Sequence, residues 1–315
     1  MLKKVTDFLG KNSNVRRTEG LTKFEKIGLK GLTEQHFDEL KKESAENLDF
    51  IEIDCSCAVK IAESNFSDVE AHFWGNAYLK GTVNFNVMKI GNTLKIKVEL
   101  NGDFHNVNFK LEVLIPSAQK FKKLVVNNTF DSIKLFGESI LVDKLKISNS
   151  SGDSFIIGKF DDVEITSTFG RIDLNSKGVN NLKIENDSGD TYLEGSLKKI
   201  KAKSSFGKII LNTNSGEKLQ LQTSSGDISI RGDFKVIDIK SDMGNVKSEI
   251  YAKSEVKIDI KTSSGNASFK FENIKKVNAV GSIGLGKFSN KVLENPCGYI
   301  ANIRYKTDFG KITIK

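Results

Sequence analysis

A short phrase built around a glycine recurs along the last two-thirds of the chain, and its period constrains the fold more than any other feature. Polar residues precede the glycine, and alternating apolar residues follow it, as in residues 223–230. The glycines are Gly152, Gly170, Gly189, Gly207, Gly226, Gly244, Gly265, Gly284 and Gly310. Successive intervals are 18 or 19 residues as far as Gly244 and then 21, 19 and 26 residues. A fixed period of this length is typical of solenoids, whose units stack because no single unit buries a core alone.

Each repeat carries two pairs of apolar residues, one on either side of its glycine. Around Gly226 these pairs are Leu219 with Leu221 and Ile228 with Ile230. A spacing of two residues places both members of a pair on the same face of a β-strand. Each repeat is therefore predicted to form a strand, a bend at the glycine and a second strand.

Stacking of such repeats predicts an all-β fold, a parallel β-solenoid with coils of 18–19 residues. The general chirality of strand crossovers predicts that the coil is right-handed. The repeat before Gly152 fits the same pattern, with Asp131 in the place of the glycine. The predicted solenoid therefore covers residues 121–315 and starts near Phe121.

The residue before the glycine alternates between a large apolar residue and serine, as in Phe169, Ser188 and Phe206. This alternation allows a second interpretation, a 37-residue coil that stacks like on like. The residue after the glycine argues for the shorter coil, because it alternates in charge. Its first members are Asp153, Arg171, Asp190, Lys208 and Asp227. Coils of 18–19 residues place opposite charges at cross-strand distance, which is favourable, whereas 37-residue coils would stack aspartate on aspartate.

Residues 49–120 are rich in strand patterns but do not follow the period. Short connections between alternating stretches, such as residues 89–93, predict antiparallel hairpins. Turns are predicted at Gly81, at Gly91-Asn92 and at Asn101-Gly102-Asp103. We expect this section to pack on the first coil and to cover its open edge, as a soluble solenoid requires.

Residues 1–48 are predicted to form a short helical segment. A second helix is predicted over residues 34–45 after the cap Thr33, with Phe37 and Leu40 on one face. The first helix has an apolar stripe flanked by lysines, formed by Leu2, Val5, Phe8 and Leu9. Two interpretations of this stripe are open: residues 1–11 contact an anionic membrane surface, or they dock on the protein itself or on a partner chain.

The net charge of +8 raises the question of nucleic-acid binding, and the pattern of the basic residues argues against it. The chain has 48 basic residues, and only five of them are arginine: Arg16, Arg17, Arg171, Arg231 and Arg304. Lysines alternate with apolar residues along the strands, and acidic residues lie between them. Nucleic-acid-binding proteins instead cluster arginines with stacking aromatic side chains.

The chain shows no pattern of a secreted or membrane-spanning protein. Its first residues lack the apolar stretch of a signal peptide, and no run approaches the roughly 20 apolar residues of a membrane span. Three cysteines, two of them at Cys55 and Cys57, do not make a disulfide framework. These features predict a cytoplasmic, reduced protein, with peripheral membrane or surface association left open.

Residue types that carry catalysis or bind metals are present but scattered. His36, His72 and His105 are isolated in sequence, although His105 lies near Asp103. Cys55 and Cys57 have no second pair at metal-binding spacing, so two core-facing thiols are the favoured interpretation. Asp153, Asp190 and Asp227 lack the calcium-binding nonapeptide, and Arg231-Gly232-Asp233 falls at a bend where such residues are common. We therefore predict no catalytic, metal-binding or cofactor-binding residues, and no cofactor.

The iterated phrase Thr223-Ser224-Ser225-Gly226-Asp227-Ile228-Ser229-Ile230 resembles the bacterial β-strand-repeat family of putative adhesins, a domain of unknown function. Residues 111–116 running into residues 123–126 resemble the approach to the repeats in that family. The resemblance covers about residues 50–315. It implies the solenoid fold and surface display, and it carries over no catalytic residues.

The leading hypothesis is a non-enzymatic structural or interaction protein, adhesin-like, whose solenoid presents an extended charged surface to a protein or carbohydrate partner. A second hypothesis is a self-assembling homo-oligomeric scaffold that resembles bactofilin filaments at the membrane face. A third is an enzyme that cleaves polysaccharides, since lyases also use parallel β-helices. Such enzymes gather charged residues in one groove, whereas the charges here are spread along every coil.

Overall fold

The computed structural model describes residues 32–214, 216–293 and 296–315, and all regular secondary structure within these ranges is β-strand. The predicted helix over residues 1–11 lies outside them. The strands are β1 (Thr33–Ser44), β2 (Phe50–Cys55), β3 (Ala58–Ser64), β4 (Asp68–Ile90), β5 (Thr93–Pro116), β6 (Lys120–Asn128), β7 (Ile133–Ser151), β8 (Ser154–Phe169), β9 (Ile172–Ser188), β10 (Thr191–Phe206), β11 (Ile209–Thr213), β12 (Lys218–Ser225), β13 (Ile228–Gly232), β14 (Val236–Met243), β15 (Val246–Tyr251), β16 (Val256–Ser264), β17 (Ala267–Glu272), β18 (Ile274–Asn290) and β19 (Tyr299–Ile314).

The repeats form parallel ladders whose register gives the length of the coil. Thr191 in β10 pairs with Ile172 in β9 on one side and with Ile209 in β11 on the other. The offsets are 19 and 18 residues, so each repeat lies directly on the next one. The prediction of an 18–19-residue coil is confirmed, and the 37-residue coil is excluded.

Alternation along each strand builds a continuous apolar interior. In β12, Leu219 and Leu221 are buried, whereas the neighbouring Lys218 and Gln222 are exposed. The same arrangement recurs in the strands above and below, so aliphatic side chains stack along the axis of the solenoid. Each buried aliphatic side chain contributes roughly 1.5–3 kcal/mol, and the stack makes the coils depend on one another.

Strands from the section before the repeats close one end of the solenoid. The coil formed by β2 and β3 pairs in parallel with β6 and β7 on one side and with the two ends of β5 on the other. Strand β4 lies antiparallel to β5, and β1 lies antiparallel to β4. The parallel ladders thus extend to Phe50, ahead of Phe121, and the predicted antiparallel section covers the end of the stack.

The predicted helix over residues 34–45 is wrong, because Thr33–Ser44 forms strand β1. The spacing of Phe37 and Leu40 suggested one helical face, yet Leu40 is 54% exposed. Phe37 instead packs against Phe73 and Phe109, with ring centroids 6.0 and 5.4 Å away. Pairing with the long strand β4 and this aromatic cluster override the helical propensity of the segment.

Of the predicted turns, Gly91-Asn92 forms the hairpin connection between β4 and β5, as expected. The turns predicted at Gly81 and at Asn101-Gly102-Asp103 are wrong. Gly81 and Gly102 face each other inside the β4–β5 ladder. A Cβ atom on Gly81 would lie 2.0 Å from the carbonyl oxygen of Asn101, so glycine here allows two strands to approach closely.

The other end of the solenoid departs from sequential stacking. Strand β19, last in the chain, lies between the coil of β16 and β17 and the strand β18. Gly286, rather than the predicted Gly284, pairs with Gly310. The final residues therefore do not form the terminal coil, as the sequence suggested, and β18 is the outermost strand at this end among the residues described. This insertion explains why the glycine intervals become irregular after Gly244.

Candidate functional site

The glycine bends place a row of exposed apolar side chains along one edge of the solenoid. Large apolar residues immediately before every second bend are 56–62% exposed, and serines occupy the bends between them. We call this row the ridge; its members are Phe130, Ser151, Phe169, Ser188, Phe206, Ser225, Met243, Ser264 and Phe309. From Ser151 onward they are directly paired in the parallel ladders.

The spacing along the ridge follows from the ladders themselves. Neighbouring parallel strands lie about 4.8 Å apart, so the apolar side chains recur at about 9.6 Å and the ridge is about 38 Å long. Beyond Phe309, β18 places the exposed Leu285 next in line. Because each member is fixed by backbone pairing on both sides, the ridge is a rigid array and not a set of mobile loops.

Glycine is required at the bends because the backbone of each coil lies directly over the previous bend. Gly207 has a φ of +124°, and a Cβ atom there would lie 2.2 Å from the carbonyl oxygen of Gly189. Gly226 has the same relation to Gly207, at 2.0 Å. A stack of glycines therefore holds the preceding residue, the ridge member, at the outer corner of each coil.

Buried polar side chains hold the inner side of each bend. The Nδ2 atom of Asn149 donates to the carbonyl oxygen of Gly152 at 2.8 Å, and Asn186 donates in the same way to Gly189 at 3.0 Å. In alternate coils, Ser167 donates to the carbonyl oxygen of Phe169 at 3.4 Å. These bonds satisfy carbonyl groups that the bend removes from the ladder, and they fix the corner that carries the ridge.

The aspartates that follow the glycines support the outer side of the bends. The Oδ1 atom of Asp153 accepts from the backbone nitrogen of Arg171 at 2.8 Å, and Asp190 accepts from that of Lys208 at 2.9 Å. The predicted stacking of Asp on Arg and Lys is therefore present, but the carboxylate caps a backbone amide. The guanidinium of Arg171 lies instead over the ring of Phe155, 4.8 Å from its centroid.

Charged side chains cover the outer face of the first strand of each coil. A shallow depression of about 490 Å³ there is lined by Lys144, Lys183, Lys199, Lys201 and Lys218, among others. Acidic residues on this face form ion pairs with it: Lys183 donates to Glu164 at 3.0 Å, and this hydrogen bond lowers the pKa of Glu164. A polysaccharide-cleaving site would gather acids and bases in one groove, whereas this face distributes them in pairs.

The histidines lie in the antiparallel section, away from the ridge. Asp38 approaches the Nε2 atom of His72 at 2.7 Å, and the ring of His72 stacks on Trp74. The sequence gave no signal of this pair, because it depends on the pairing of β1 with β4. His105 pairs with Tyr78 in the β4–β5 ladder, and His36 is exposed.

The remaining sequence candidates lie apart from one another. Arg231 donates to the hydroxyl of Tyr251 at 2.9 Å, and Asp233 lies 3.7 Å from Lys253, so the Arg231-Gly232-Asp233 side chains are engaged within the solenoid. No cluster of three or more metal-ligating side chains occurs among the residues that the structure describes. Within the same residues, no helix is long and apolar enough to cross a membrane.

Cys55 and Cys57 are buried between the first coils, whereas Cys297 is exposed. Hydrogen bonding with Cys55 raises the pKa of the Cys57 thiol, and burial raises it further. A thiolate is the reactive form of cysteine, so both inward-facing thiols should resist alkylation.

We expect iodoacetamide at pH 8 to label one thiol of the folded protein and all three after denaturation, as counted by intact-mass spectrometry. The exposed Cys297 should be the labelled residue in the peptide map. Rapid labelling of Cys55 or Cys57 in the folded protein would show that these cysteines are accessible and would contradict their assignment to the core.

Comparison with known proteins agrees with this architecture. A family model described as Toastrack DUF4097 matches residues 48–292, which confirms the resemblance drawn from the repeated phrase. No curated protein matches the chain.

Solved structures with the same overall course are distant in sequence. A putative adhesin from Parabacteroides distasonis is 11% identical, with 89% of this chain and 97% of that chain covered and a TM-score of 0.47. A putative adhesin from Parabacteroides merdae is 15% identical, with coverage of 88% and 96% and a TM-score of 0.41. A protein from P. distasonis described as a putative lipid binding protein is 12% identical, with coverage of 87% and 96% and a TM-score of 0.41.

Proposed function

The chain belongs to the Toastrack DUF4097 family, and on that premise we propose that it is a non-enzymatic, adhesin-like binding protein that presents its ridge to an extended partner. The observation that carries this proposal is the regular exposure of Phe130, Phe169, Phe206, Met243 and Phe309. Large apolar side chains in a contiguous exposed array mark interaction surfaces in soluble proteins.

The bends spend stabilisation to keep these side chains outside. Each bend needs a glycine in a left-handed conformation, as at Gly207, and a buried polar side chain, as at Asn186, which hydrogen-bonds the backbone. A purely structural solenoid has no use for a phenylalanine at the outer corner, since serine occupies the same position in alternate coils. Retention of the aromatic ring at this corner is therefore explained by contact with a partner.

A binding array displaying glycans and extracellular proteins tests the proposal. We expect the labelled protein to bind a subset of spots and the double variant Phe169→Ser, Phe206→Ser to bind them at least tenfold more weakly, since an aromatic side chain at the centre of an interface contributes about 1–2 kcal/mol or more. The variant should keep its fold, because both side chains are mostly exposed.

Phe66 provides the matched control, because it is 61% exposed and lies in the turn between β3 and β4, outside the ridge. The Phe66→Ser variant should bind like the parent protein. Absence of bound spots, equal loss in both variants, or release of cleaved ligand by the bound protein would each count against a non-enzymatic binding ridge.

A further inference from the structure

The ridge combines a repeat distance with a particular chemistry, and the two together identify a class of ligand. Its apolar side chains recur at every second coil, about 9.6 Å apart. A partner that meets all of them in the same way must itself repeat at this distance along a straight line. In an extended β-1,4-linked polysaccharide, alternate sugars present the same face, and the disaccharide repeat is close to the length of two coils.

The residues beside the ridge are suited to hydroxyl groups. The position immediately before each ridge member is occupied only by serine, threonine or aspartate: Thr129, Ser150, Thr168, Asp187, Ser205, Ser224, Asp242, Ser263 and Asp308. These short side chains accept hydrogen bonds, and the hydroxyls also donate them. A sugar ring offers an apolar face to an aromatic side chain and hydroxyls at its edge, so it matches both features at once.

The charges along this edge distinguish between polymers. Asp187, Asp242 and Asp308 are exposed beside the ridge, and their carboxylates would repel an anionic polymer or an anionic lipid surface that reached the aromatic rings. The lysine-rich face lies farther back, at positions such as Lys203 and Lys240. The contacting edge therefore favours an uncharged ligand.

We infer that the ridge binds an uncharged β-1,4-linked polysaccharide that lies parallel to the solenoid axis, with every second sugar stacked on an apolar side chain. This inference rests on the proposed function and adds the ligand class and its register. The rings at Phe169 and Phe206 would contact equivalent sugars one disaccharide apart, and Ser188 would face the sugar between them. Rigid spacing of the rings lowers the entropic cost of ordering the polymer.

Depletion from solution by insoluble polysaccharides tests the inference directly. We expect the full chain to bind microcrystalline cellulose or chitin and to bind insoluble starch, whose α-linked chains coil, at least tenfold more weakly. The Phe169→Ser, Phe206→Ser variant should lose at least tenfold in affinity, and Phe66→Ser should lose none. Binding of starch equal to that of cellulose and chitin would overturn the inference.

A period-shift variant separates register from general stickiness. Ser188→Phe combined with Phe206→Ser keeps the number of phenylalanines but places two rings on neighbouring coils, about 4.8 Å apart. We expect this variant to bind as weakly as the double serine variant. Binding equal to that of the parent protein would refute the role of the two-coil repeat.

The remaining outcomes identify other occupants of the ridge. Failure to bind cellulose and chitin, with array binding that still depends on Phe169 and Phe206, would overturn this inference and leave the proposed function standing. Phe-dependent binding to vesicles of anionic phospholipid, or a dimer in sedimentation that the double serine variant abolishes, would also overturn it in favour of a membrane or a second copy. A monomer that ignores vesicles and binds cellulose or chitin would support it.

Discussion

Replacement of Ile228 by aspartate is expected to unfold several neighbouring coils together. Ile228 is buried and pairs with Ile209 in β11 and with Val246 in β15, which are also buried. The substitution removes roughly 1.5–3 kcal/mol of apolar burial and leaves a carboxylate without a partner in the interior, which costs several kcal/mol more. The total is comparable to the whole stability of a typical domain, about 5–15 kcal/mol.

The loss should spread along the axis, since each coil is stabilised mainly by contact with its neighbours. Hydrogen exchange measured by mass spectrometry should show lost protection in β11, β13 and β15, and circular dichroism should show a lower unfolding midpoint. Lys201→Asp is the control, because Lys201 is exposed on the outer face of β10. It should change stability by about 0.5 kcal/mol or less; equal effects at both positions would contradict the assignment of inward and outward faces.

The periodic part of the fold is readable from the sequence because local and global signals agree there. Leu219 and Leu221 are two residues apart, Gly226 follows at a fixed distance, and the same spacing recurs in every coil, so one repeat predicts the next. The alternation of charge after the glycine fixed the coil length correctly, since Asp153 and Arg171 are cross-strand neighbours.

The two ends of the solenoid could not be predicted, because their pairing depends on contacts that no local pattern carries. Residues 34–45 have the composition of a helix, and only the strand edge offered by β4 converts them into β1. At the other end, Gly284 continues the 19-residue interval, yet Gly286 is the residue paired with Gly310. Insertion of β19 between earlier strands is a long-range event that a period in sequence does not record.

The candidate site was visible in part. The alternation of Phe169, Ser188 and Phe206 is plain in the sequence, but its exposure is not, because a strand pattern assigns a residue to a face only within the strand. The bend turns these side chains away from the core after the last inward-facing residue, which is Ser167 or Asn186. The structure therefore converts a pattern that served to argue coil length into a surface.

Gly207→Ala is expected to destabilise the protein by about 3 kcal/mol or more, although it adds a single methyl group. The φ of +124° at Gly207 is strained for any residue with a side chain, which costs roughly 1–3 kcal/mol. The new Cβ atom would also lie 2.2 Å from the carbonyl oxygen of Gly189, a backbone atom of the neighbouring coil that cannot move alone. Urea unfolding should show a lower midpoint.

Gly178→Ala is the matched control, since no atom lies within 4 Å of a Cβ atom built there. This substitution should be neutral or stabilising by up to about 1 kcal/mol, because alanine restricts the unfolded chain. The pair of variants separates the loss of glycine as such from the loss of glycine in the stack. If Gly207→Ala were as stable as Gly178→Ala, the coils could not be packed carbonyl over glycine, and the corner that holds Phe206 outside would need another explanation.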